Sequence, residues 1–322
     1  MNIVVVGLGS MGKRRIRLIK EMNPEYSIIG IDSREDRRNE VKEQFGIVVF
    51  SSLDEVVSTV NCAFVCTSPL THANLINQCL VRKWNVFTEL NLVSDGYKEN
   101  IELAKMNNCV LFLSSTFFYR EEIKYIKSKI TDEKKWNYIY HIGQYLPDWH
   151  PWENYNDFFI GDKRTNGCRE ILAIELPWLT SAFGTIVDAK AVSDRITNLN
   201  INYNDNYMIQ FTHVNGNKGT LIVDVVSPVA VRKLEVYTQN RYLSWDGTPE
   251  SIFEFDELNK EKINVRLLEQ TEHMDGYSTF VVENAYKNEI NEFFDVVNNN
   301  KIPLYDFEKD YNILKLIDSL GA

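Results

Sequence analysis

The chain opens with MNIVVVGLGSMGKRRIRLIKEMN, residues 1–23, and its architecture follows from how these residues are partitioned. Residues 3–6, Ile-Val-Val-Val, are short, apolar and β-branched, as expected of a strand buried on both faces of a parallel sheet. They run into Gly7-Leu8-Gly9-Ser10-Met11-Gly12 and then into a helical pattern in which Ile16, Ile19 and Met22 recur at three-residue spacing until Asn23-Pro24 ends it. Lys13, Arg14 and Arg15 are expected to face water. Gly7 permits the tight turn, Gly9 lets the backbone approach a pyrophosphate, and Gly12 lets helix and strand pack closely. The helix N-terminus adds amide donors and partial positive charge, so the arrangement predicts a dinucleotide cradle.

Context strengthens a motif that is weak alone. The next apolar stretch, 27–31, ends in Asp32, about twenty residues beyond the glycines, where a carboxylate accepts hydrogen bonds from an adenosine ribose. Asp32 disfavours a ribose phosphate, although Arg34, Arg37 and Arg38 follow it closely. NAD is expected, with NADP the lesser alternative.

Further along, apolar strands at 48–50, 61–66, 85–88 and 110–114 alternate with helical patterns at 35–44, 53–57, 71–82 and 96–107. This alternation predicts a doubly wound parallel sheet, a Rossmann domain over residues 1–118. The strand end Thr67-Ser68-Pro69-Leu70-Thr71-His72 and Glu89, at the tip of the next strand, fall where such a sheet presents its ligand crevice. From Tyr119 the grammar changes. A helix at 120–129, a strand at 138–145 and a helix at 169–183 precede alternating strands at 207–213, 220–226, 233–238, 242–245 and 263–267. Amphipathic helices are expected at 277–298 and 306–320. Residues 119–322 therefore read as an α+β domain with a large open, mainly antiparallel sheet, its terminal helices able to pack back on the first domain.

Composition excludes several classes. A formal charge of −10 argues against a nucleic-acid surface, and no stretch is apolar enough for a membrane span. The first residues already belong to a strand rather than a leader, so a cytoplasmic protein is expected. The five cysteines form no CxxC pair or Cys/His cluster, so neither a disulfide framework nor a metal site is expected.

The glycine turn, the segment 67–72 and the tail from Asn284 onward together resemble the glucose-fructose oxidoreductase and inositol dehydrogenase family, the Gfo/Idh/MocA type. The resemblance implies a nicotinamide cofactor in the first domain and a second domain that carries substrate and often an oligomer interface. It further implies oxidation or reduction of a carbon of a sugar, polyol or nucleotide sugar, and a homodimer or homotetramer. By the same resemblance the cofactor-binding residues are Gly7, Gly9, Ser10, Met11, Gly12, Asp32, Arg34, Thr67, Ser68, Pro69, His72, Glu89 and Asn91.

Two positions depart from that pattern. Where the family has Glu-Lys-Pro, with its lysine beside the nicotinamide, this chain has Glu89-Leu90-Asn91, and leucine can neither donate nor carry charge. Where the family has an acid and, four residues on, a histidine acting as base, Glu170 falls near the acid and Ile174 on the histidine. Removing a hydroxyl proton still requires an acceptor. The candidates are Glu170, ahead of Glu175, and His150 in the loop Asp148-Trp149-His150-Pro151-Trp152. Trp149 and Trp152, with Tyr155, offer aromatic faces suited to a sugar, and Tyr119 and Lys163 are further candidates for substrate contact. His141 and His213 are expected to be satisfied sheet residues. The leading expectation is an NAD-dependent oxidoreductase with a rearranged proton-transfer site. A cofactor-binding sensor without catalysis is the alternative, and transient oxidation during elimination or epimerisation is a third.

Overall fold

In the computed structural model all residues are described except Asp132, His150, Trp152 and 268–281. The chain divides into two units, Met1–Ser115 with Tyr286–Asn312, and Thr116–Ala285 with Ile313–Ala322.

The first unit alternates β1 (Asn2–Val6), α1 (Ser10–Met22), β2 (Ser27–Ile31), α2 (Glu35–Phe45), β3 (Val48–Phe50), β4 (Cys62–Val65), α3 (Pro69–Val81), β5 (Asn85–Thr88), α4 (Tyr97–Asn107) and β6 (Leu111–Leu113). The six strands are parallel, in the order β3-β2-β1-β4-β5-β6. Strand order therefore reverses between β1 and β4, and a ligand crevice opens there at the carboxyl ends of the strands. The sheet is buried on both faces, which is why its strands read as unbroken apolar runs. Phe64 and Phe87 stack at 4.7 Å, and Phe293 meets Phe64, Phe87 and Phe112 edge-on at 5.2 to 5.6 Å. Aromatic rings favour such offset and edge-on contacts, so these four form the centre of one face of the core.

The second unit holds α5 (Glu121–Lys129), β7 (Asn137–Gly143), α6 (Gly167–Phe183), β8 (Ile186–Asp194), β9 (Asn206–His213), β10 (Lys218–Asp224), β11 (Val231–Thr238), β12 (Arg241–Trp245), β13 (Phe253–Asp256) and β14 (Glu261–Asn264). Two long helices follow, α7 (Glu283–Asn299) and α8 (Phe307–Ser319), and both run from one unit into the other. The eight strands are ordered β14-β13-β12-β11-β7-β10-β9-β8, and all pairs are antiparallel except β7 with β10. One face buries Tyr138, Tyr140, Leu221, Val223, Leu234 and Val236. Phe183 and Trp178 of α6 pack there against Tyr138 and Tyr140, at 4.3 and 5.7 Å between rings. The other face leaves Ile139, Met208 and Val192 exposed.

Two strands escaped the sequence reading. β8 alternates with Asp188, Lys190 and Asp194 on an outer strand, where charge guards against edge pairing, and β13 is only four residues long. The expected strand at 263–267 is shifted to Glu261–Asn264, while the predicted helical start at 277–281 lies outside the described residues. The expectation that Arg14 and Arg15 face water is overturned: Arg14 is 5% and Arg15 0% exposed. Both point inward because an ion-pair network and an aromatic ring receive them.

Candidate functional site

The first unit supplies a cradle. Gly7 has φ +92, a left-handed backbone that favours glycine, and a Cβ there would lie 2.7 Å from the Cys66 carbonyl. At Gly12 a Cβ would meet the Gly7 carbonyl at 1.9 Å, so helix and turn can close only without a side chain. Gly9 is different. Its added Cβ would meet nothing nearer than the Arg37 guanidinium at 3.6 Å, so this backbone faces open space where a ligand can approach. α1 begins at Ser10 behind Gly9, an N-cap residue with no side chain to bond the first turn, and such a helix N-terminus favours an anion.

Asp32 closes the adenosine side. It is buried, accepts the Leu8 amide at 2.8 Å on Oδ2 and the Arg34 amide at 2.9 Å on Oδ1, and lies 3.7 Å from Arg37 Nη1. A carboxylate has about four acceptor positions, so these bonds orient it and leave capacity for a ribose diol. Arg34 turns away to Asp36, at 2.5 Å. Its strong hydrogen bond from Arg34 holds the Asp36 carboxyl down at about 2.

At the opposite end of the crevice Glu89 is gripped by Arg15, with Nε to Oε1 at 2.6 Å and Nη2 to Oε2 at 3.1 Å. The same guanidinium donates to Glu289 Oε2 at 2.7 Å and sits 4.5 Å above the Phe87 ring. Glu289 also accepts the Ser115 amide at 2.7 Å and the Ser114 hydroxyl at 3.0 Å. Burial disfavours the charged form of Arg15, but Glu89 and Glu289 outweigh it and push the guanidinium further up, so it stays charged. Burial likewise pushes the Glu289 carboxyl up, with Arg15 opposing. Arg14 lies over Tyr286 at 4.6 Å. Apart from Glu89, these residues were missed in the sequence, although Arg15 shares a helical stripe with Leu18 and Ile19.

Thr67, Ser68 and Pro69 begin α3 at the crevice, and His72 and Asn91 lie buried behind them. His72 Nδ1 meets Asn91 Oδ1 at 2.6 Å and Nε2 meets the Thr67 carbonyl at 2.9 Å. Leu90 is half-buried beside them.

The second unit carries the acid candidates on α6. Asn166 caps this helix, accepting the Arg169 amide at 2.8 Å, and Arg169 turns to Asp318 at 2.7 Å, so neither role falls to Glu170. Glu170 Oε2 is sealed from solvent without a hydrogen-bond partner among the described residues. Burial pushes its carboxyl up to about 7. Glu175 is committed elsewhere: fully buried, it accepts Tyr140 at 2.9 Å and Trp178 at 2.7 Å and pairs with Arg232. Trp149 is half-buried, donates to the Gln144 carbonyl at 3.1 Å, and its ring lies 3.4 Å from where a Gly167 Cβ would stand. Tyr119 is buried and Lys163 exposed. His150 and Trp152 lie outside the described residues. His213 bonds Tyr138 and the Gly184 carbonyl, and His141 pairs with Asp224 at 2.7 Å, the satisfied sheet histidines expected.

A six-stranded parallel sheet with a glycine cradle at its reversal, joined to a large open sheet, defines a two-domain protein of the dinucleotide-binding class. Residues 1–115 match the model of the Gfo/Idh/MocA oxidoreductase family with an NAD-binding Rossmann fold. Over 135 residues the chain is 29% identical to myo-inositol 2-dehydrogenase of Thermotoga maritima, a match covering 40% of each protein. Solved structures cover nearly the whole chain. UDP-N-acetylglucosamine 3-dehydrogenase GnnA from Acidithiobacillus ferrooxidans aligns over 99% of this chain and 96% of its own, with TM-score 0.76 and 15% identity. GenD2 from gentamicin A biosynthesis, in complex with NAD, aligns over 100% and 93%, with TM-score 0.77 and 15% identity. A levoglucosan dehydrogenase in complex with NADH aligns over 100% and 96%, with TM-score 0.81 and 12% identity. At such identities the likeness is one of fold. No helix among the described residues is long and apolar enough to cross a membrane, and no described cluster of acidic, histidine or cysteine residues could hold a metal.

Proposed function

We propose that this chain is an NAD-dependent oxidoreductase acting on an alcohol carbon of a sugar, polyol or nucleotide sugar. The observation that carries the reading is the cradle: an open Gly9 backbone, an α1 N-terminus with no side chain at its N-cap and an oriented Asp32 carboxylate fit a pyrophosphate and an unphosphorylated ribose together. The names of similar proteins, dehydrogenases of myo-inositol, UDP-N-acetylglucosamine and levoglucosan, support the substrate class.

Gly7, Gly9, Ser10, Met11 and Gly12 hold the pyrophosphate, Asp32 the adenosine ribose, and Thr67, Ser68 and Pro69 border the nicotinamide half. When bound, NAD supplies a hydride acceptor. The chain must supply the proton acceptor, and Glu170 is assigned that role. A carboxyl titrating near neutrality is ionised often enough to accept a proton and basic enough to hold it. Trp149 is assigned to substrate contact, with its ring at the start of the helix that bears Glu170. A second copy of the chain on the open sheet face, giving a homodimer or homotetramer, and a cytoplasmic location complete the reading.

Calorimetric titration with NAD, followed by a panel of polyols, sugars and nucleotide sugars assayed by reduced-cofactor absorbance, tests it. Micromolar binding of NAD and turnover of at least one sugar are expected; absence of NAD binding overturns the reading. One specific feature favours a second reading, a cofactor-bound sensor: Leu90 and Ile174 occupy the two positions that carry lysine and histidine in the resemblance. Binding without turnover, together with activity gained in a Leu90→Lys, Ile174→His double variant, would establish that reading instead.

A further inference from the structure

Behind the crevice of the first unit, His72 and Asn91 are each only 2% exposed and are in contact with each other. The ring links two segments that border the crevice: Nε2 faces the carbonyl of Thr67, just past β4, and Nδ1 faces the side chain of Asn91, just past β5. Both contacts, 2.6 and 2.9 Å, are drawn to oxygen. An imidazole can satisfy two acceptors only as the cation. Meanwhile Asn91 Nδ2 is buried with no close hydrogen-bond partner among the described residues, on the same amide whose oxygen meets a ring nitrogen that needs a donor or must be charged. Amide oxygen and nitrogen have nearly the same shape, and their assignment rests on the hydrogen bonds they make.

We infer that the Asn91 amide donates through Nδ2 to His72 Nδ1 while His72 Nε2–H donates to the Thr67 carbonyl, making the pair an uncharged clasp that positions both segments at the nicotinamide half of the crevice. The assignment turns both short contacts into matched donor–acceptor pairs and moves the unpaired group from an amide N–H to a carbonyl oxygen, which tolerates it better. Burial pushes the His72 imidazole below its ordinary value, with Glu89 the nearby charge opposing that. Tyr97 is pushed well up by burial and by Asp310, and the Asn91 amide opposes this as a side-chain donor, a contact that the exchange of amide oxygen and nitrogen gives up. The Thr88 hydroxyl, at 3.4 Å from His72 Nδ1, is the longer and weaker partner of that nitrogen. The clasp is particular to a chain with asparagine at position 91, since a proline there would have no amide to offer. His72 and Asn91 are thus positioning residues, acting on the cofactor through Thr67 and the 89–91 segment, an assignment that rests on the cofactor reading above.

Histidine-ring nitrogen NMR on the full-length protein, with His72 assigned by substitution, tests the tautomer without cofactor. The wild type should show one protonated and one unprotonated ring nitrogen with no titration between about pH 6 and 8; two protonated nitrogens would overturn the clasp. Asn91→Asp replaces the donor with an acceptor and should convert the ring to the doubly protonated form. Asn91→Leu, lacking any polar atom, should weaken NAD about fivefold or more, with Asn91→Asp recovering most of that loss. Unchanged NAD affinity in Asn91→Leu would overturn the positioning role. If the wild type binds no NAD, the cofactor reading fails while the ring spectrum still decides the tautomer.

Discussion

Glu89 and Glu170 are both shielded carboxylates, one in each unit, and the molecule treats them in opposite ways. Glu89 is chelated by the fully buried Arg15, which is itself shared with Glu289. Glu170 keeps a sealed oxygen with no hydrogen-bond partner among the described residues, although Glu175, five residues further along the same helix, is matched by Arg232, Tyr140 and Trp178. A carboxylate gripped by two bonds from a guanidinium serves as architecture. One without a partner has a raised affinity for protons, and perturbed groups of this kind concentrate where chemistry is done. The contrast within α6 itself is the more instructive, because the same helix shows that a partner could have been provided.

That comparison breaks most sharply at Glu170. In the variant Glu170→Gln, turnover of an accepted sugar should fall by about 10²–10⁴-fold with NAD affinity unchanged, and the wild-type rate should rise with pH toward a plateau above about 7. Equal rates in variant and wild type would return Glu170 to a packing role. On the other side, Arg15→Met strands Glu89 and Glu289 without their cation. Equilibrium denaturation should register a loss of about 3–5 kcal/mol, and a loss below about 1 kcal/mol would mean the buried pairs contribute little.

A smaller effect is expected at the cradle. Gly12→Ala forces a methyl group against the Gly7 carbonyl, which should cost about 1–3 kcal/mol in stability and weaken NAD binding by at least about tenfold. Gly9→Ala has space in the free protein, so it should weaken NAD while leaving the melting temperature nearly unchanged. The two glycines are thereby separated into one the fold needs and one the ligand needs.

The finest test is the pH dependence of stability. The folded-state value of Glu170, about 7, lies above its ordinary value of 4.5, so the native state binds this proton more tightly than the unfolded chain does. Its contribution is fully present below about pH 4.5 and is lost as pH rises through about 7. Denaturation midpoints across this window should show the decline in the wild type and a flatter profile in Glu170→Gln.

By itself the sequence determined what is local or periodic. The glycine turn, Asp32 at the end of its strand and the β–α alternation were legible because each is dictated by backbone geometry within a few residues or by burial on two faces of one sheet. The apolar character of positions 90 and 174 could be read in the same way, since Leu90 and Ile174 carry no polar group under any fold. Tertiary structure decided everything that depends on distant partners. Arg15 is buried because Glu289, 274 residues away, meets it. Between Glu170 and Glu175 the choice of the unpaired acid was made by Arg232 and Tyr140, on strands far from both in sequence. Asn91 acquired a role because His72 stands against it. A charged or polar side chain announces its chemistry in the sequence, but whether that chemistry is neutralised or left available depends on which groups the fold carries to within about 3 Å of it.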